Sequence, residues 1–154
     1  MESTLTNHDK NVATVLHVAS FSKYFFPFGN FILPVILWSM YKKDGEYIDH
    51  HGKEVINFQL SLFCYKIIAT MLCIPFFFVF GVRSINTWDI FWFNHISFNV
   101  EEGTRFFGFS VIGIILGLVA LLFFAVNITY TIVAAMKANE GERYRYPLTY
   151  RFIK

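Results

Sequence analysis

Charge is what this 154-residue chain has least of: 16% of its residues are Asp, Glu, Lys or Arg, where a soluble domain carries about a quarter. No Asp or Glu falls within its three long apolar runs, residues 24–41, 55–82 and 106–136, so an ion pair buried inside those runs is excluded. Cysteine is limited to Cys64 and Cys73. A helix separates two such residues by about 13 Å along its axis, too far for a disulfide. The net charge of +2 is small, and the basic residues lie in loops and the tail rather than along one helical face, which argues against nucleic acid. Residues 1–11 lack a basic region followed by an apolar core and a cleavage site, so no removable signal peptide is expected. Also missing are a nucleophile with its base, a carboxylate pair at depth and a phosphate loop. No catalytic, cofactor-binding or metal-binding residue is assigned, and no enzyme is expected.

What is abundant is apolar and aromatic: 55% hydrophobic residues and twenty phenylalanines, a composition that needs lipid. Residues 55–82 carry one charge, Lys66, in twenty-eight positions, and residues 106–136 carry none in thirty-one. At about 1.5 Å per residue both are long enough to cross a hydrocarbon core of about 30 Å as helices. Residues 24–41 barely reach that length and are interrupted by Pro27, Gly29 and Pro34. Proline removes an amide donor and clashes with the preceding turn, so a kinked span is expected. The alternative is a re-entrant hairpin over residues 12–41, which reverses the side of the amino terminus. Residues 12–22 read as a short helix lying at the interface or entering the bilayer obliquely.

The expected fold is all-α, a polytopic integral membrane protein: a polar segment at 1–11, then one membrane domain over 12–154. It is a small bundle of three or four transmembrane helices with a kinked or re-entrant first span, an interfacial aromatic helix in an external insert at 83–105 and a tail from 137.

Several side chains stand out within this frame. Gln59, Lys66, Thr70 and Cys73 share one helical face, with Asn57, Ser61 and Cys64 on a second strip. Aligned polar groups in an apolar span face a bundle interior, so Asn57, Gln59 and Lys66 are read as intramembrane polar residues. Lys66 has the plainer option of snorkelling to the interface. In the last run Gly113, Gly117, Ala120, Asn127 and Thr131 line up as a helix-packing face of the small-residue kind. Trp88, Phe91, Trp92 and Phe93 suit either the headgroup zone or a partner surface. In the tail, Arg143, Arg145, Tyr146 and Arg151 are read as lipid-headgroup contacts. Asp49, His50 and His51 invite a metal reading, weighed against a solvated loop that caps the following helix. Eight Lys and Arg in the 42–54 loop and the tail, against Arg83 and Arg105 in the insert, place the carboxyl terminus in the cytoplasm.

Three segments in order, FPFGNFILPVILWSMYKKD, DHHGKEVINFQLS and AAMKANEGERYRYPLTYRFIK, closely resemble a family of small bacterial membrane proteins of unknown function. Its members are described as similar to the twenty-kilodalton inner-envelope subunit of the chloroplast protein-import translocon. The motif positions are Pro27, Gly29, Asn30, Pro34, Trp38, His51, Gly52, Lys53, Glu54, Asn57, Gln59, Asn139, Gly141, Tyr146 and Pro147. The resemblance implies a polytopic helical protein of the bacterial cytoplasmic membrane and supplies no catalytic residues. The 83–105 insert is longer than members of that family usually carry.

Two functions follow as expectations. One is a non-enzymatic subunit packed into a larger membrane protein complex or a homo-oligomer. The other is a component of a protein or solute translocation pore. The lipid bilayer is a partner in both.

Overall fold

The computed structural model describes residues 5–81 and 100–153. Among these residues are four α-helices and no strand: α1 (Asn7–Val18), α2 (Gly29–Tyr41), α3 (Glu46–Gly81) and α4 (Val100–Glu140), with a 3-10 helix over Ala19–Tyr24. Two helices are long and apolar enough to cross a membrane, over Glu46–Pro75 and Ser110–Glu140. The 83–105 insert, with Trp88, Phe91, Trp92 and Phe93, lies outside the described residues except for 100–105, which open α4.

The chain divides into two compact units. One comprises Met1–Cys64 with Ala125–Lys154, the other Tyr65–Phe124. In the second unit, Ile67, Ile68, Met71 and Leu72 of α3 and Ile114, Leu118, Leu121 and Leu122 of α4 are all exposed, an apolar surface suited to lipid. Lys66 is exposed as well, its carbonyl accepting the Thr70 hydroxyl at 2.8 Å. Gly113 and Gly117 face open space, and Ala120 is exposed.

The first unit holds the buried residues. Helix α1 begins at Asn7, earlier than the apolar pattern suggests, because Thr6 and Asp9 form a capping box: Asp9 N–H donates to Thr6 Oγ1 at 3.2 Å and Thr6 N–H to Asp9 Oδ2 at 2.9 Å. After the 3-10 helix the chain reverses at residues 25–28, where Phe28 takes a left-handed backbone conformation at φ 60°. The Ser22 carbonyl accepts the N–H groups of Phe25 and Phe26 at 3.0 and 3.2 Å. Gly29 then starts α2 hard against Ser22, since a Cβ there would lie 2.5 Å from that carbonyl oxygen.

Residues 12–41 thus form a hairpin of two short helices rather than a span at 24–41. The rings of His8 and Tyr41, one from each open end, lie 6.0 Å apart. At thirteen residues, about 20 Å, α2 falls short of a hydrocarbon core. Pro34 is buried inside it.

Within this unit α3 runs antiparallel to α4: Tyr47 hydrogen-bonds the Ala138 carbonyl at 2.7 Å, and further along Asn127 Nδ2 reaches Gln59 Oε1 at 3.4 Å. Helix α2 runs antiparallel to α3, through Trp38 with Asp49 near one end and Asn30 with Gln59 near the other. Leu16, Ile48, Val55 and Phe58 are fully or almost fully buried, each worth about 1.5–3 kcal/mol on removal from water. Gly52 lets the Trp38 ring lie directly on α3; a Cβ there would overlap the indole.

Candidate functional site

Beyond its apolar residues, the first unit encloses an unusual quantity of polar side chains. They fall into three linked groups. The first is at the hairpin turn. Lys23 Nζ donates to Asn127 Oδ1, Asn127 Nδ2 to Gln59 Oε1, and Asn30 Nδ2 to the same oxygen at 3.1 Å. The Gln59 amide nitrogen, Nε2, is buried with no partner at hydrogen-bond distance among the described residues.

The second group joins three elements through two imidazoles. His17 Nδ1 lies 2.8 Å from the Tyr146 hydroxyl, and His17 Nε2 lies 2.8 Å from His51 Nδ1. Only one proton fits between the two rings. If Tyr146 O–H donates to His17, then His17 Nε2–H donates to His51, and His51 Nε2–H is left facing the side of the Glu142 carbonyl. A carbonyl can only accept, which favours that direction and leaves both rings neutral. Burial holds the proton affinity of His17 well below that of a free imidazole, and positive charge on His51 and then His50 would lower it further. Burial likewise pushes the Tyr146 phenol well above its usual range, with Thr131 beside it. Among the described residues neither His51 Nε2 nor Thr131 Oγ1 has a partner at hydrogen-bond distance.

The third group holds the tail. Glu54 Oε2 accepts Tyr146 N–H at 3.1 Å; Asn57 Oδ1 accepts the N–H groups of Phe152 and Ile153 at 3.0 and 2.9 Å, and its amide donates to the Ile153 carbonyl at 2.9 Å. Ser61 Oγ accepts Tyr150 N–H at 2.9 Å. Glu54, Asn57 and Ser61 are spaced three and four apart, one face of α3, and an extended tail without regular partners of its own lies along them. Beside it opens a cleft of about 340 Å³ lined by Glu46, Asp49, His50, Lys53, Glu54, Asn57, Arg145, Arg151 and Ile153.

The residues singled out in the sequence are dispersed by this arrangement. Asn57 and Gln59 are buried, one against the tail and one at the hairpin turn, while Lys66 is exposed on the other unit. Of the small-residue face, Asn127 and Thr131 are buried in the first unit, whereas Gly113, Gly117 and Ala120 are uncovered in the second. Arg143, Arg145 and Arg151 are exposed, the first 3.0 Å from Glu46 and the last 3.7 Å from Glu54. Tyr146 is not among headgroups: at 6% exposure its ring stacks on Phe58 with centroids 4.0 Å apart. His50 and His51 are not in a solvated loop, since α3 has begun at Glu46, and His51 points into the core. Among the described residues no three His, Cys, Asp or Glu side chains are grouped as metal ligands. His17 and Lys23, which carry much of this network, drew no attention as functional residues; a lone histidine amid the apolar positions of 12–22 was the available signal.

A family model described as the magnetosome magnetite crystal formation protein family, MamF/MmsF, matches residues 8–153. The chain belongs to that family. Neither curated proteins nor solved structures gave a match. The match supports a small bacterial membrane-associated family, as the sequence resemblance implied, and likeness to the import translocon forms no part of it.

Proposed function

We propose that this member of the magnetite crystal formation family is a non-enzymatic accessory subunit of the magnetosome membrane, acting by packing into a larger complex there. The observation that carries the reading is the family match over residues 8–153. The use made of the buried polar groups supports it: they bond to one another and to backbone, holding the hairpin, α3, α4 and the tail together. The charge bias supports a cytoplasmic carboxyl terminus. The hairpin supports an amino terminus on the same side. In this reading α3 and α4 cross the membrane and the 83–105 insert faces the opposite compartment.

The test is deletion of the gene in its host, with electron microscopy of the crystals and restoration by the wild-type chain. Altered crystal size or number with intact membrane compartments is expected; an unchanged size distribution overturns the reading. A translocation component of the import-translocon kind is the second reading, favoured by the unpartnered Gln59 amide at the hairpin turn. Proteoliposomes that pass no ion or peptide would remove it.

A further inference from the structure

The cleft beside the tail has features that the accessory reading does not use. Its walls carry both signs. Glu46, Asp49 and Glu54 contribute three carboxylates, and Lys53, Arg145 and Arg151 contribute three cations, with His50 also in the lining. A simple anion would be repelled by the first set and a simple cation by the second. The charges are also unequally engaged. Lys53 is committed to Asp49 at 2.6 Å, whereas Arg151 stands 3.7 Å from Glu54 and Arg145 makes no ion pair among the described residues. Two loosely held guanidinium groups lining one cleft suit the planar, bidentate geometry of a phosphate. Glu46, anchored by Arg143, and Asp49, anchored by Lys53, line the same cleft with carboxylate oxygens.

The level of the cleft in the fold is marked by Trp38. Its indole N–H donates to Asp49 at 2.9 Å. It belongs to the last turns of α2, whose exposed apolar residues, Ile32, Leu33, Val35, Ile36 and Met40, run out at that end. Indole rings occupy the headgroup layer of a bilayer. On α3 the charged turns ending at Glu54 give way at once to Val55 and the apolar run. The volume, about 340 Å³, is at the small end of ligand sites.

We propose that the cleft binds a phosphate ester carrying a primary ammonium group, the chemistry of an aminophospholipid headgroup. Arg145 and Arg151 take the phosphate, and Glu46 with Asp49 takes the ammonium. The same chemistry occurs in soluble phosphoethanolamine, and the two sources separate by experiment. The proposal rests on membrane insertion alone and not on the mineral role, which the crystal phenotype tests separately.

The experiment is native mass spectrometry of the full chain in mild detergent, titrated with phosphatidylethanolamine, phosphatidylcholine or phosphatidylglycerol. Phosphatidylethanolamine should be retained about tenfold more strongly than the other two, since one lacks ammonium N–H donors and the other lacks the ammonium. Arg145→Gln should weaken retention of all three lipids, and Glu46→Gln should abolish the preference for phosphatidylethanolamine over phosphatidylglycerol. Both side chains are exposed, so unfolding temperatures should not move. Displacement of the lipid by millimolar phosphoethanolamine supports a soluble ligand, and persistence of the lipid supports the membrane source. Equal retention of the three lipids, or parental behaviour in both variants, overturns the proposal.

Discussion

Replacing Tyr146 by Phe removes one oxygen atom and leaves almost everything else in place. The ring keeps its stack on Phe58, with planes 10° apart. What is lost is the partner of His17 Nδ1, on a side chain with no exposure at all. A buried acceptor stripped of its donor costs about 1–3 kcal/mol, and for a domain of this size each kcal/mol moves the unfolding temperature by about 2–4 °C. Tyr146→Phe should therefore unfold roughly 4–8 °C lower in detergent for a loss near 2 kcal/mol, while Tyr146→Ala, which also gives up the stacked ring, should lose about 3–5 kcal/mol. If the hydroxyl acts through His17, the Phe substitution should cost little in a His17→Leu background, a coupling of about 0.5–3 kcal/mol in the double-mutant cycle. The same histidine sets a pH dependence. Burial lowers its proton affinity in the folded chain, whereas in the unfolded chain it takes a proton near pH 6.5. The unfolded state then binds more protons in acid, so stability is complete above about pH 6.5 and falls as the pH drops below it. His17→Leu should flatten that acid slope. A Tyr146→Phe protein within half a kcal/mol of the parent, or an acid slope unchanged by His17→Leu, would refute the account of the buried chain.

Three further outcomes follow from the geometry. Asn57→Ala removes three hydrogen bonds to the backbone of Phe152 and Ile153, so trypsin should cut after Arg151 several-fold faster; Asn57→Asp, which still accepts both N–H groups, should fall between, and equal cleavage of all three would show that the tail is held elsewhere. Gly52→Ala drives a methyl into the Trp38 ring and should cost about 1–3 kcal/mol by overpacking, read as a lowered unfolding temperature; an unchanged value would mean that α2 and α3 are not in contact there. With Cys64 and Cys73 replaced by Ala, single cysteines at exposed Asn7→Cys and Lys43→Cys should react with a membrane-impermeant maleimide from the same side; labelling from opposite sides would mean that residues 12–41 cross the membrane once.

The long apolar runs of α3 and α4 were legible because nothing but lipid or a large core accommodates such segments. The early start of α1, at Asn7 rather than Val12, was missed for a local reason: the Thr6 and Asp9 capping box was present in the sequence, but the apolar period starts only at Val12. The misreading of Tyr146 has another. In an extended tail successive side chains point to opposite sides, so the alternation of Arg143 and Arg145 with Tyr144 and Tyr146 could have separated an outward basic row from an inward aromatic one. The partners of Asn57 and Ser61 were beyond reach, because the tail that they hold lies about ninety residues away and carries no pattern that pairs it with α3. Composition, likewise, could not assign Lys23, a basic residue flanking an apolar run, to an internal amide.

The hairpin also decides what the buried amides are for. Two short helices that turn back on one another leave N–H and C=O groups at their inner ends, and these need partners. The Ser22 and Phe28 carbonyls satisfy four of the nearby N–H groups locally. Asn30, in the first turn of α2, and Lys23, in the last turn of the 3-10 helix, both end on the Gln59 and Asn127 pair contributed by α3 and α4. That pairing ties the turn to the two long helices at the point where the chain is least able to satisfy itself. Gln59, one of the polar residues on α3, thereby serves as an anchorage of the hairpin turn. Gln59→Leu separates the two uses: an anchorage predicts a destabilised chain whose hairpin is released to proteolysis, whereas a pore lining predicts a stable chain with altered permeability.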